Sequence, residues 1–134
     1  MGYYVTFVES TAKFKISNQK KIIDALKAEN KKVEEYYRLS SVLDSNNIKK
    51  IFDELDFEIE KSGKYYKLIC YNSEKLGEQE IWFPIIAPYM EDGFIHMIGE
   101  EGNHWKWKFD HGRFREVAGR IMFDDEFHVD LDRK

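Results

Sequence analysis

The sequence predicts an α+β domain: a mostly antiparallel sheet with two to three helices packed on one face. Apolar residues recur at helical spacing before Asp56, they alternate with polar residues after it, and turn residues separate the alternating runs. Helices that are separated along the chain from antiparallel strands are typical of a two-layer sandwich. With 134 residues, 43% of them hydrophobic, the chain is predicted to form one domain over 1–134.

The N-terminal segment predicts a strand followed by a helix. Residues 3–9 alternate and are rich in β-branched and aromatic types, and 13–16 form a second short extended segment. A helix is expected to start at Ser17 or Asn18, either of which can cap it, and to end at Asn30 in the left-handed conformation. Its apolar stripe consists of Ile22, Ile23 and Leu26.

A second helix is expected over residues 44–55, with Ser45 or Asn46 as its cap. Its inward residues are Ile48, Ile51, Phe52 and Leu55. The preceding stretch, 31–43, fits either one more helical turn or an irregular connection. Alternation then predicts a hairpin over 56–71 that turns at "KSGK".

The segment 81–93 combines high apolar density with two prolines. We expect a short helix that covers the sheet, carries Pro84 in its first turn and ends before "EDG". The remaining chain predicts a three-strand meander over 94–123, with turns at "EEGN" and "HG". Residues 124–134 fit either an edge strand or a mobile acidic tail.

The run "HWKWKFD" at 104–110 is the main candidate for a functional surface. Strand alternation places its aromatic rings on one side and its lysines on the other. The rings are expected to be core and the lysines solvated, although the sequence does not decide which side is buried. The predicted contact surface consists of Glu100, Glu101, Trp105, Lys106, Trp107, Lys108, Arg113 and Arg115, of which only those on the exposed side can serve.

Charge and composition narrow the classes of partner. Basic and acidic blocks alternate along the chain, whose net charge is −4, so the sustained basic footprint of nucleic-acid binding is missing. The sequence contains no run of 18 apolar residues, so no membrane span is predicted. The single cysteine, Cys70, is consistent with the reducing environment of the cytoplasm. No motif calls for a cofactor. A protein is therefore the expected partner.

Two alternatives come from other classes of protein. A small metal-assisted hydrolase or nuclease would use three of the chain's four histidines and one acid, although the spacing of the histidines matches no metal motif. The residues of that alternative site are His96, His104, Asp110 and His111. The other alternative is a structural homodimer that pairs through an exposed strand edge.

The run "IAPYMEDGFIHMIGEEGNHWKWKFDHGRFRE" at 86–116 resembles a segment of small uncharacterised proteins of bacteria and their phages. Its shared features are an APY-x-E-x-G turn, a GE-[DE]-G hairpin and a W-x-W-x-F-x-x-G strand; the opening "MGYY" is also similar. The group has no agreed activity, so the resemblance implies no catalytic residue. It implies a phage or mobile-element context, in which small acidic domains often bind a host protein. The sequence thus predicts a non-enzymatic binding or regulatory domain.

Overall fold

The computed structural model describes residues 3–29, 46–77 and 79–119. Three helices and seven strands lie in these ranges. Short 3-10 turns at Ile16–Asn18 and Ala87–Tyr89 precede the first helix and follow the third. The elements are β1 (Val5–Ser10), β2 (Lys13–Lys15), α1 (Gln19–Ala28), α2 (Ile48–Glu54), β3 (Phe57–Ser62), β4 (Tyr65–Tyr71), α3 (Gln79–Ile86), β5 (Gly93–Gly99), β6 (His104–Asp110) and β7 (Arg113–Ala118).

The strands form two antiparallel sheets, one with the order β1-β5-β6-β7 and one with the order β2-β4-β3. The predicted α+β class is confirmed, and β5, β6 and β7 form the predicted C-terminal meander. The division into two sheets was not predicted. It arises because β1 crosses to pair with β5, 83 or more residues further along the chain, while β2 pairs with β4.

Helix α1 buries the predicted stripe of Ile22, Ile23 and Leu26. Its start differs from the prediction, because the Asn18 side chain makes no capping hydrogen bond. The Asn18 amide instead donates to the Tyr89 carbonyl at 3.2 Å, which ties the helix start to the turn after α3. The predicted stop at Asn30 and the segment 31–45 lie outside the described residues.

Helix α2 is capped one residue later than predicted. The Asn47 side-chain oxygen accepts the backbone N–H groups of Lys49 and Lys50, at 3.1 and 3.2 Å. Asn46 instead accepts from the Lys27 ammonium, and Ser45 lies outside the described residues. The predicted inward residues are all buried: Ile48, Ile51, Phe52 and Leu55.

Helix α3 forms where predicted, but the predicted position of Pro84 within it was wrong. Pro84 is the sixth residue of the Gln79–Ile86 helix rather than a first-turn residue. A proline there cannot donate to the carbonyl one turn earlier, and the helix ends two residues later. Burial of Trp82, Phe83 and Ile86 offsets the lost hydrogen bond, because large apolar side chains stabilise a helix through tertiary packing.

Phe83 of α3 connects the two sheets through one core. Its ring lies 5.4 Å from Trp107 and 5.2 Å from Phe109 in the four-stranded sheet. It also lies 5.6 Å from Phe57 in the three-stranded sheet. The side of β6 that carries Trp107 therefore faces the core, and the opposite side faces away from it.

Candidate binding surface on the four-stranded sheet

The side of the four-stranded sheet that faces away from Phe83 is called the outer face below. On β6 it carries His104, Lys106, Lys108 and Asp110, none of which is buried. Cross-strand partners share a face, so the register adds three residues of β5 and three of β7. These are Phe94, His96, Ile98, Arg113, Arg115 and Val117. None of them is buried either, and Val117 is 38% exposed.

The structure removes the two tryptophans from the predicted contact surface. Trp105 is 7% exposed and Trp107 is 2% exposed, because both point towards the core. The Trp107 indole N–H donates to the Glu116 carboxylate at 3.1 Å. The Trp105 indole nitrogen is buried without a hydrogen-bond partner among the described residues. The expectation that the rings are core and the lysines solvated describes this strand correctly.

The predicted cations are brought together on the outer face. Lys108 of β6 lies directly opposite Arg115 of β7 in the register. Arg115 donates to Asp110 at 3.3 Å, an exposed pair at the end of the strand. The Lys106 ammonium lies 4.0 Å from the centre of the Phe94 ring, a cation–π contact that holds this charge beside an apolar side chain. Cations and partly exposed apolar groups therefore share one surface.

Glu100 and Glu101 lie at the tip of the hairpin between β5 and β6, as predicted, and both are exposed. Glu100 is tied to the start of β1, since its backbone N–H donates to the Tyr4 carbonyl at 2.9 Å. Its carboxylate accepts the Tyr4 backbone N–H at 3.4 Å. The acidic tip thus borders the basic outer face without lying on it.

The four residues of the alternative metal site do not converge. His96 Nε2 lies 2.9 Å from His104 Nδ1 at one end of β6. Asp110 Oδ1 lies 2.5 Å from His111 Nδ1 at the other end. A strand of this length separates its ends by about 20 Å, so no single ion contacts both pairs.

The His96–His104 pair and the Asp110–His111 pair have different surroundings. Partial burial lowers the pKa of His96 below its usual 6.5, with smaller contributions from His104 and Lys106, while Glu9 acts in the opposite direction. At the far end, Asp92 joins Asp110 and His111, and potential ligand atoms of the three lie within 4.8 Å of one another.

Sequence reasoning missed four residues of this region. Asp92 was read only as part of a turn, yet its carboxylate accepts the His111 backbone N–H at 2.9 Å. Phe94, Ile98 and Val117 were not assigned to a surface. Alternation along β5 and β7 could have placed them there, but only with the cross-strand register known.

Comparisons with protein-family models, with curated proteins and with solved structures find no match for this chain. Within the described part of the chain, no helix has the length and apolar character needed to cross a membrane.

Proposed function

We propose that this domain is a non-enzymatic binding or regulatory module that recognises an acidic surface of another protein through its outer face. The observation that carries the proposal is the Lys108–Arg115 pair. Like charges directly opposite each other destabilise a sheet, and one carboxylate, Asp110, lies close enough to Arg115 to offset part of that cost. Positions that break a local stability rule are characteristic of functional surfaces. Carboxylates of a partner would offset the remaining repulsion.

The arrangement of rings favours a protein partner over a nucleic acid. A platform for nucleic-acid bases needs aromatic rings and cations on the same face. Here Trp105 and Trp107 point into the core, away from the lysines. Among the Phe, Tyr and Trp residues of the four strands, Phe94 alone lies on the outer face, and the Lys106 ammonium covers its ring. The resemblance to bacterial and phage proteins further suggests a host protein as the partner.

Charge reversal of the outer face tests the proposal. The variant carries Lys106→Glu and Lys108→Glu; the control carries Lys20→Glu and Lys21→Glu, the same charge change on exposed residues of α1. Each protein is used to capture partners from a bacterial lysate, and the captured material is analysed for protein and for nucleic acid. The captured protein is then purified and titrated against all three.

We expect the outer-face variant to bind at least about tenfold more weakly, because like-charge contacts at an interface are strongly unfavourable. The α1 control should bind as the wild type does, and wild-type binding should weaken as salt is added. Equal affinities for both variants would contradict the proposal, as would capture of nucleic acid in place of a protein. Sedimentation of the wild type at two concentrations tests the homodimer alternative.

A further inference from the structure

The two histidines at one end of the outer face form a pair that the proposed function does not use. His96 of β5 and His104 of β6 are diagonal neighbours, since His96 lies opposite Lys106 and His104 lies opposite Ile98. Their facing nitrogens are 2.9 Å apart, and their ring centroids are 5.1 Å apart with the planes tilted by 43°. One imidazole therefore donates a hydrogen bond to the other.

We propose that His96 Nε2 and His104 Nδ1 together bind a divalent late transition-metal ion of the Cu²⁺ or Ni²⁺ type. Bonds from imidazole nitrogen to such ions are about 2.0–2.1 Å long, so nitrogens 2.9 Å apart subtend about 90° at a shared ion. That angle matches neighbouring positions of a square-planar or tetragonal complex, the geometry of Cu²⁺ and Ni²⁺. The ion takes the place of the shared hydrogen, and the displaced proton moves to the other nitrogen of the donating ring, so both imidazoles stay neutral.

The sheet holds both backbones in place behind the pair. Met97 and Trp105, the neighbours of the two histidines along their strands, lie opposite each other and are buried. The His104 side chain is exposed, so its ring can rotate to direct its lone pair at the ion while its Cα stays fixed. A rigid support of this kind reduces the entropy lost when two ligands bind one ion.

Space for the remaining ligands of the ion lies beside the pair. A cavity of about 550 Å³, open to solvent, is lined by both histidines, by Glu101 in the hairpin turn and by Val117 of β7. Water or a small anion can fill the other coordination positions from this side. The positive charge of Lys106 disfavours a bound cation. Its ammonium is nevertheless directed towards Phe94, two residues before His96 on β5, whereas His104 lies opposite Ile98, two residues after His96.

The cluster of Asp92, Asp110 and His111 is the competing metal site in the described ranges. Its groups already bond to one another and to Arg115: His111 contacts both acids, and Arg115 donates to Asp110. These contacts hold the turn between β6 and β7, which accounts for the cluster without an ion. The imidazole pair, in contrast, lines an open cavity, and the test therefore treats His111 as a control.

Isothermal titration calorimetry tests the proposal. The tag-free protein is titrated with Cu²⁺ or Ni²⁺ in a non-chelating buffer. We expect one ion per chain, and at least about tenfold weaker binding after His96→Gln or His104→Gln, since each removes half of a two-point attachment. His111→Gln should bind as the wild type does. In the Cu²⁺ complex, electron paramagnetic resonance should show two equivalent imidazole nitrogens.

Thermal unfolding of the metal-free variants checks that each one folds, and added metal should raise the Tm of the wild type and of the His111→Gln control. The proposal is wrong if the wild type binds no ion, or if binding survives in both His96→Gln and His104→Gln. It is equally wrong if His111→Gln abolishes binding. Partner capture by the outer-face cations is a separate measurement, so either proposal can fail while the other stands.

Discussion

The two faces of β6 share one backbone but differ in burial, in charge and in the groups that they contact. Trp105, Trp107 and Phe109 are at most 7% exposed and contact rings from α3 and both sheets. Lys106 and Lys108, which alternate with them, are partly exposed; Lys106 contacts the Phe94 ring, and Lys108 lies opposite Arg115 in the register. The inner face is held by packing, so its residues are not free to recognise anything. The proposed function therefore uses the outer face of this strand.

The comparison also shows why a high aromatic content does not by itself identify a binding surface. Surplus rings are often found on binding surfaces, and 16% of this chain is aromatic. Here many of the rings in the described residues are buried in the core. Phe57, for example, lies within 6.4 Å of the rings of Tyr71, Trp82, Phe83 and Trp107. The small domain uses aromatics to join two sheets that share no strand.

The largest expected effect comes from truncating the inner face. Trp107→Ala should lower the free energy of unfolding by about 3–5 kcal/mol, because it opens a cavity among the surrounding rings and removes the hydrogen bond to Glu116. Urea unfolding followed by circular dichroism measures the change. A loss below about 1 kcal/mol would mean that Trp107 is not a core residue, and the comparison of the two faces would fail.

A smaller effect is expected at the turn that sets the register between β6 and β7. His111 and Gly112 both have positive φ, 53° and 77°, as a two-residue type I′ turn requires. Gly112→Ala should cost about 1 kcal/mol or more, because a Cβ is strained in this conformation.

Unfolding in urea again gives the value. A stabilised Gly112→Ala variant would show that the turn does not hold this backbone. The assignment of residues to faces would then lose its support, since a slip of one residue exchanges the two faces.

The smallest effect sharpens the comparison on the outer face itself. Lys108→Ala removes the repulsion with Arg115 and should leave the stability unchanged or raise it by up to about 0.5 kcal/mol. Lys106→Ala, on the same strand and face, loses the contact with Phe94 and should be slightly destabilised.

Urea denaturation curves of the two variants, recorded at low and at high salt, measure their free energies of unfolding. The difference between the two variants should shrink at high salt, because salt screens exposed charges. If Lys108→Ala is the more destabilised of the two, the Lys108–Arg115 pair carries no strain, and the acidic-partner proposal loses its main support.

Local patterns were enough to predict most elements. Period-two alternation located β3 to β7, and the spacing of Ile48, Ile51 and Phe52 located α2, because side-chain direction repeats with the period of the element. Caps were predicted less well. Asn46, Asn47 and Ser45 are all good capping residues, and only the backbone geometry at Asn47 selects among them.

Some features were decided by the tertiary structure alone. Alternation in "HWKWKFD" separates rings from lysines, but the packing of α3 against Trp107 decides which side is the interior. The sequence supplied Lys108, Arg115 and the two histidines as residue types. Which of these residues become neighbours on adjacent strands depends on the strand register, and the residue pattern along a single strand does not determine that register. Long-range pairing also divided the strands into two sheets, because β1 finds its partner far along the chain in β5.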